Sequence, residues 1–161
     1  MWQSAEVSLR PEVEEDWPFV EELVFATREN EPGFSGLPLG ERTSLLKEQA
    51  RLQATHYRKQ FSSAHFLIIE VGGRRAGRYY LNQAADHFHV IELSILPEYQ
   101  KHGIGHQLMK SAQAEAIRMN LPVRLRVARG NPARKFYQGL GFKITGTGET
   151  HDSLEWVPGN A

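Results

Sequence analysis

The chain predicts an α/β fold, a mixed sheet with helices packed on it in a single domain spanning residues 1–161. Three observations carry that reading. Short alternating apolar runs recur along the chain, stretches of helical apolar spacing separate several of them, and Gly- or Pro-rich breaks divide the two kinds. No internal repeat or low-complexity linker interrupts the pattern.

The elements follow in order. "EVSLR" (6–10) reads as a first strand. A helix follows Pro11, acidic early and basic late, with Asp16 and Pro18 at its start and Val20, Leu23 and Val24 on its apolar face. "EPGFSGLPLG" (31–40) is a loop by its glycines and prolines, and a second helix over about 41–60 is weakly patterned by Leu45, Leu46, Leu52 and Tyr57. "HFLIIEV" (65–71) and "AGRYYLNQ" (76–83) flank "GGRR" as a hairpin, and "HFHVIELSIL" (87–96) is a longer strand. A helix over about 104–119 puts Ile104, Leu108, Ala112, Ala116 and Met119 on one stripe. "PVRLRVA" (122–128) alternates Val123, Leu125 and Val127 against Arg124 and Arg126. In "NPARKFYQGLGF", Asn131 is the N-cap, Pro132 the first helical position and Gly141 the residue past the end. "FKITG" and "HDSLEWV" close the chain as strands.

Composition narrows the chemistry. Nineteen basic residues balance nineteen acidic ones, so no overall field favours nucleic acid or an anionic membrane, and any anion site must be local. There is no cysteine, which excludes disulfides, thiolate metal sites and a cysteine nucleophile and fits a reducing, cytoplasmic setting. The opening residues lack a signal-peptide pattern, and no apolar run approaches the roughly 20 residues that span a bilayer. His87 and His89 stand two apart, yet no third ligand accompanies them, so no metal site is expected.

The segment "ILPEYQKHGIGHQLMK" (95–110) raises a specific question, because Gly103 and Gly105 stand at the mouth of a helix. Glycine there costs about 1 kcal/mol against alanine. A helix N-terminus carries unpartnered amides and the positive end of the dipole, so it attracts anions. Removing Cβ lets a bulky phosphate reach those amides, and Lys101, His102 and His106 add positive character. The Walker pattern is absent, and the dinucleotide pattern would need a glycine where Leu108 stands.

"LPEYQKHGIGHQLM" resembles the acyl-CoA loop of the GNAT superfamily of N-acyltransferases, Q/R-x-x-G-x-G/A, here Gln100, Gly103 and Gly105. "NPARKFYQGLGF" resembles the second conserved block of that superfamily, one residue shorter before its tyrosine than the commoner form. The two blocks lie one helix and one strand apart, and the likeness is strong over about 87–145. The resemblance implies a mostly antiparallel sheet with a central parallel, splayed strand pair, flanked by about four helices. It implies acetyl-CoA as acyl donor, with pantetheine along the backbone of Leu93, Ser94 and Ile95. The diphosphate would lie on the amides from Lys101 through His102, Gly103, Ile104 and Gly105 to His106. Asn131, Ala133 and Tyr137 of the second block would complete the cofactor contacts.

The activity so implied is transfer of an acetyl group to the primary amine of a small molecule or peptide by direct attack, with a homodimer as the assembly that many relatives adopt. Tyr137 occupies the family's usual general-acid position, and a tyrosine with a pKa of about 10 is protonated at neutral pH and can donate. Read from the residues alone, Tyr137 beside Phe136 is half-buried packing. Glu92 is the first candidate for the base, since burial would raise its pKa, while the plainer reading pairs it with an arginine such as Arg78. His89, on the opposite face of the strand, His151, and water alone are the other candidates for deprotonation. Glu29, Glu31, Phe34, Tyr79, Tyr80, His151 and Trp156 suit an acceptor site for a cationic amine. The rival function is a non-catalytic acyl-CoA-binding or sensing module.

Overall fold

The structure, a computed structural model, describes residues 6–31 and 33–159, so residues 1–5 of the leader reading and Pro32 of the predicted loop lie outside it. The described strands are β1 (Val7–Pro11), β2 (His65–Val71), β3 (Arg74–Gln83), β4 (Phe88–Ile95), β5 (Val123–Ala128), β6 (Lys143–Thr147) and β7 (His151–Trp156). The helices are α1 (Trp17–Arg28), α2 (Leu39–Gln60), α3 (Ile104–Met119) and α4 (Ala133–Gly139). Strand order across the sheet is β1-β2-β3-β4-β5-β7-β6. β4 and β5 are parallel, in a ladder that pairs Phe88, His89 and Val90 with Val123, Arg124 and Leu125. The predicted mixed α/β architecture with a central parallel pair and four helices is the one observed. Among the described residues no helix is long and apolar enough to cross a membrane.

The described residues form two compact units, one within 6–80 together with 92–104 and one of 81–91 with 105–159. In the first, α1 is the core helix. Phe19 and Leu23 pack with Ile68 of β2 and Leu96, while Val20 and Val24 pack with Leu46 and Ala50 of α2. Leu52, expected on the buried stripe of α2, is 57% exposed, and α2 buries only Leu46 and Ala50. Asp16, fully buried just before α1, accepts both terminal nitrogens of Arg10 at 2.7 and 2.8 Å, Nε of Arg75 at 2.7 Å and the Val13 amide at 2.8 Å. The Arg10 hydrogen bonds hold its carboxyl well below the usual carboxylate range, against the opposing effect of burial.

The β2–β3 hairpin turns on two residues, not the four of "GGRR". Gly72 and Gly73 both take positive φ, 57° and 81°, which matches the twist of the flanking strands, and Arg74 and Arg75 belong to β3. Gly77 has a different task. Its backbone lies so close to β4 that a Cβ would come within 2.1 Å of the Ser94 carbonyl oxygen.

In the second unit β7 lies between β5 and β6, antiparallel to both. Val123, Leu125 and Val127 are buried and Arg124 and Arg126 exposed, as the alternation predicts. The stripe of α3 differs from expectation at its ends. Met109 and Gln113 are buried, whereas Met119 is 41% exposed on the last helical turn. His89 stands opposite Arg124 in the parallel ladder. Burial first, then the nearby His87 and Arg126 charges, push its imidazole down to about 4.

This packing has two measurable consequences. Gly77→Ala should lower stability by about 1–3 kcal/mol, because backbone rather than a flexible side chain blocks the new methyl; urea melts check this. His89 stays neutral in the fold while the unfolded chain takes up its proton near pH 6.5, so stability should fall as pH drops from about 6.5 to about 4. In His89→Gln the melting temperature should depend less on pH across that window, and an unchanged slope would contradict the assignment.

Candidate active site

The segment from β4 to α3 lies wholly in the first unit from Glu92 up to Ile104. Leu96 is buried in the α1 core, and its amide donates to the Ala76 carbonyl at 2.8 Å, which anchors the end of the strand. Pro97 then starts a single 3-10 turn, Pro97–Tyr99, closed by Tyr99 N–H to Leu96 O at 2.9 Å and Gln100 N–H to Pro97 O at 3.2 Å. The Gln100 side chain reaches back and donates to the Ile95 carbonyl at 2.8 Å. Lys101 and Gly103 both adopt positive φ, 64° and 85°. For a lysine that conformation costs about 1–2 kcal/mol, and nothing in the sequence around it signals it. A Cβ on Gly103 would meet no atom within 4 Å, so it would project into open space at the mouth of α3. Ile104 is buried and starts the helix.

This geometry can receive an anion. The opening amides of a helix lack intrahelical partners. Gly103 leaves their approach open, and Lys101 is exposed beside them. Gly105 and His106 follow in the first turn of α3, His106 exposed.

The backbone of β4 is divided by the alternation of the strand. The Ser94 carbonyl lies against Gly77 of β3, so the neighbours Leu93 and Ile95 present their backbone groups to the opposite edge.

Glu92 is half-buried in β4 and surrounded by donors. The Tyr57 hydroxyl of α2 donates to Oε1 at 3.2 Å, and the Ser94 hydroxyl donates to Oε2. Arg78 of β3 places Nη2 3.5 Å from Oε1. The pairing of Glu92 with Arg78 read from the sequence is therefore present. Arg78 is only 2% exposed; it donates to Gln53 Oε1 at 2.7 Å and lies 5.1 Å from the centre of the Tyr80 ring. Burial works against its charge, but Glu92 and then Tyr80 outweigh it and the guanidinium is held protonated. Burial, reinforced by the Glu92 charge, raises Tyr57 above the usual tyrosine range, which keeps it a donor. Tyr57 and Gln53 lie outside both sequence motifs. Their spacing of four on α2 was the signal that could have placed both over one patch of the sheet.

The second unit holds the second block. The Asn131 side-chain oxygen accepts the Ala133 amide at 2.9 Å and Pro132 has helical φ −57° and ψ −22°, so Asn131 acts as the predicted cap although the regular helix begins one residue later than expected, at Ala133. The same bond engages the Ala133 amide within the protein. Tyr137 is buried, in edge contacts with Phe136 at 5.1 Å and Phe142 at 5.7 Å between ring centres. Its carbonyl accepts the amides of Leu140 and Phe142, and Gly141, at φ 97°, ends the helix where expected. The Gln113 amide group of α3, also buried, donates to the Leu140 carbonyl at 2.9 Å and fixes the turn from α3. His151 begins β7, with Nδ1 2.9 Å from the Thr150 hydroxyl.

Several expected acceptor residues serve other purposes. Tyr79, Tyr80 and Trp156 are buried in the core, and Tyr80 donates to Glu12. Glu31 pairs with Arg28 at 3.2 Å, and the same guanidinium lies over Phe34. Among the described residues no group of three or more His, Asp or Glu side chains could hold a metal. A cleft of about 640 Å³, lined by Arg10, Phe19, Glu22, Glu70 and Arg75 among others, contains none of the candidate site residues.

Comparison with known proteins agrees with the motifs. A family model described as an acetyltransferase (GNAT) domain matches residues 40–159. Over 88 residues the chain is 31% identical to a Bacillus subtilis (strain 168) protein named as a candidate ribosomal protein bS18-alanine N-acetyltransferase, a match covering 52% of this chain and 56% of that protein. The chain thus spans little more than half the length of that curated relative. Its fold is similar to that of PaiA N-acetyltransferase from Thermoplasma acidophilum, crystallised in complex with coenzyme A (TM-score 0.71, 22% identity, 94% of this chain and 98% of that one). It is also similar to an acetyltransferase from Thermus thermophilus (TM-score 0.66, 18% identity, 94% and 96%). At such identities the structural likeness speaks for the fold, whereas the family model covers most of the chain, and the chain belongs to the GNAT acetyltransferase family.

Proposed function

We propose that this chain is an acetyl-CoA-dependent N-acetyltransferase that moves an acetyl group to a primary amine by direct attack. The observation that carries the reading is the turn from Gln100 to Ile104, with two left-handed residues and open space where a Cβ on Gly103 would stand. The open approach to the first amides of the helix, beside the exposed Lys101, suits a close anionic ligand. Coenzyme A in the PaiA crystal structure and the acetyltransferase name of the Bacillus relative support the same donor. We read residues 1–161 as one acyltransferase domain, since the family match runs through both units.

The amides from Lys101 to His106 would hold the diphosphate, with Lys101 and His102 adding positive character. Leu93 and Ile95 would pair with the pantetheine arm; the Ser94 carbonyl, turned to Gly77, would not. Asn131 retains its side-chain NH2 for the cofactor, while its oxygen and the Ala133 amide are joined in the cap. Bound acetyl-CoA supplies a thioester carbonyl open to attack by a neutral amine. Backbone N–H groups would polarise that carbonyl. The Tyr137 hydroxyl would protonate the departing thiolate, and Glu92 would take the amine proton.

Thiol release from acetyl-CoA with a panel of primary amines tests this. The wild-type protein should turn over at least one amine, and Tyr137→Phe should lower kcat about 100-fold while leaving coenzyme A affinity unchanged. Coenzyme A binding without turnover on any amine would instead favour a sensing module.

A further inference from the structure

Both carboxylate oxygens of Glu92 already meet donors. Oε1 accepts from Tyr57 and faces the Arg78 cation, and Oε2 accepts from the Ser94 hydroxyl. The Ser94 hydroxyl is differently placed. It gives its one proton to Glu92 and retains lone pairs that can accept from a third group. Ser94 and Glu92 stand two residues apart on β4, so their side chains share one face of the strand, and both are partly exposed.

Arg78 adds a second observation. Its Nε and Nη1 are buried and make no hydrogen bond to the protein. Replacing a buried ion pair by apolar side chains is often neutral or stabilising. Packing alone therefore gives no reason for a guanidinium beneath β4. Its position against Glu92 Oε1 does, because it fixes one carboxylate oxygen and leaves the other to Ser94.

We propose that the Ser94 hydroxyl is the proton relay between the acceptor amine and Glu92, with Arg78 and Tyr57 as positioning residues that hold the carboxylate to receive the proton. The inference rests on the acetyltransferase reading and defines its acceptor as a strongly basic primary amine that arrives as an ammonium ion. One N–H proton of the ammonium passes to Ser94 Oγ as the Ser94 O–H proton passes to Glu92 Oε2. The serine is unchanged and Glu92 becomes a neutral carboxylic acid, which releases that proton to water. The freed nitrogen lone pair forms the C–N bond as the C–S bond breaks, with the electron pair leaving on sulfur. The thiolate takes its proton from Tyr137, which recovers one from water. The second nitrogen proton, strongly acidic once the nitrogen is acylated, passes directly to water.

The test compares Ser94→Ala and Ser94→Thr with the wild-type chain on two kinds of acceptor. One is the best alkylamine of the panel, ammonium at pH 7, and the other is hydroxylamine, which is neutral there. Ser94→Ala should lower kcat with the alkylamine about 100-fold at pH 7, keep the hydroxylamine rate and keep the KM for acetyl-CoA. The loss should shrink as pH approaches the amine pKa of about 10, and Ser94→Thr should restore the rate. Without any acyl donor present, the carboxyl carbon resonance of Glu92 should move in Ser94→Ala, because a donor has left its oxygen. Wild-type kinetics in Ser94→Ala, equal losses on both acceptors, or an unmoved resonance would each overturn the relay while leaving the acetyltransferase assignment standing. No turnover of any amine by the wild-type chain would remove that assignment and the relay with it.

Discussion

The turn between β4 and α3 is the constraint on which the functional account depends. Its start is fixed by burial, since Leu96 is held in the α1 core and its amide is tied to Ala76. Its end is fixed by Ile104, buried at the first position of α3. Between these anchors the chain must reverse within a few residues. It does so through one 3-10 turn, a side-chain bond from Gln100 to Ile95 and two left-handed residues. At Lys101 the left-handed backbone costs about 1–2 kcal/mol. Strain of this kind persists where the surrounding contacts over-determine it, and it clusters at ligand sites.

The same β4 strand is shaped from the other side by Gly77. The close approach of β3 leaves no room for a Cβ and brings the Ser94 carbonyl against the β3 backbone. One strand thereby serves three purposes: its N-terminal half pairs with β5, its backbone is turned alternately to β3 and away from it, and its Glu92 side chain meets donors from α2, β3 and the strand's own Ser94. The two buried charges of the first unit illustrate different uses of electrostatics. Asp16 is saturated by two arginines and an amide, and its place before α1 is structural. Arg78 leaves Nε and Nη1 without hydrogen bonds and places Nη2 beside the partly buried Glu92 carboxylate.

Much of this was legible in the sequence wherever a local pattern determines the outcome. Strict alternation placed Val123, Leu125 and Val127 inward, and the Asn131–Pro132 and Gly141 signals bounded the second block to within a residue. The two acyl-CoA motifs led to the family. Non-local packing was not legible. Sequence spacing cannot show that β7 inserts between β5 and β6, or that Met119 falls outside the buried stripe. Tyr79, Tyr80 and Trp156 read as acceptor-site aromatics, and their burial puts them in the core, a distinction that residue type alone does not carry. Arg78 was legible as a partner of Glu92 by charge alone, whereas Tyr57 lies 35 residues before Glu92, a separation at which no local pattern links the two.

The central claim is that the amides opening α3 hold the diphosphate of coenzyme A, and calorimetric titration of wild-type and Gly103→Val protein with coenzyme A and with pantetheine tests it most directly. The account predicts that the wild-type chain binds coenzyme A more tightly than pantetheine. It also predicts that folded Gly103→Val loses at least about tenfold in coenzyme A affinity, or about 1.4 kcal/mol, with little change for pantetheine. Equal coenzyme A affinity in the two folded proteins would contradict it.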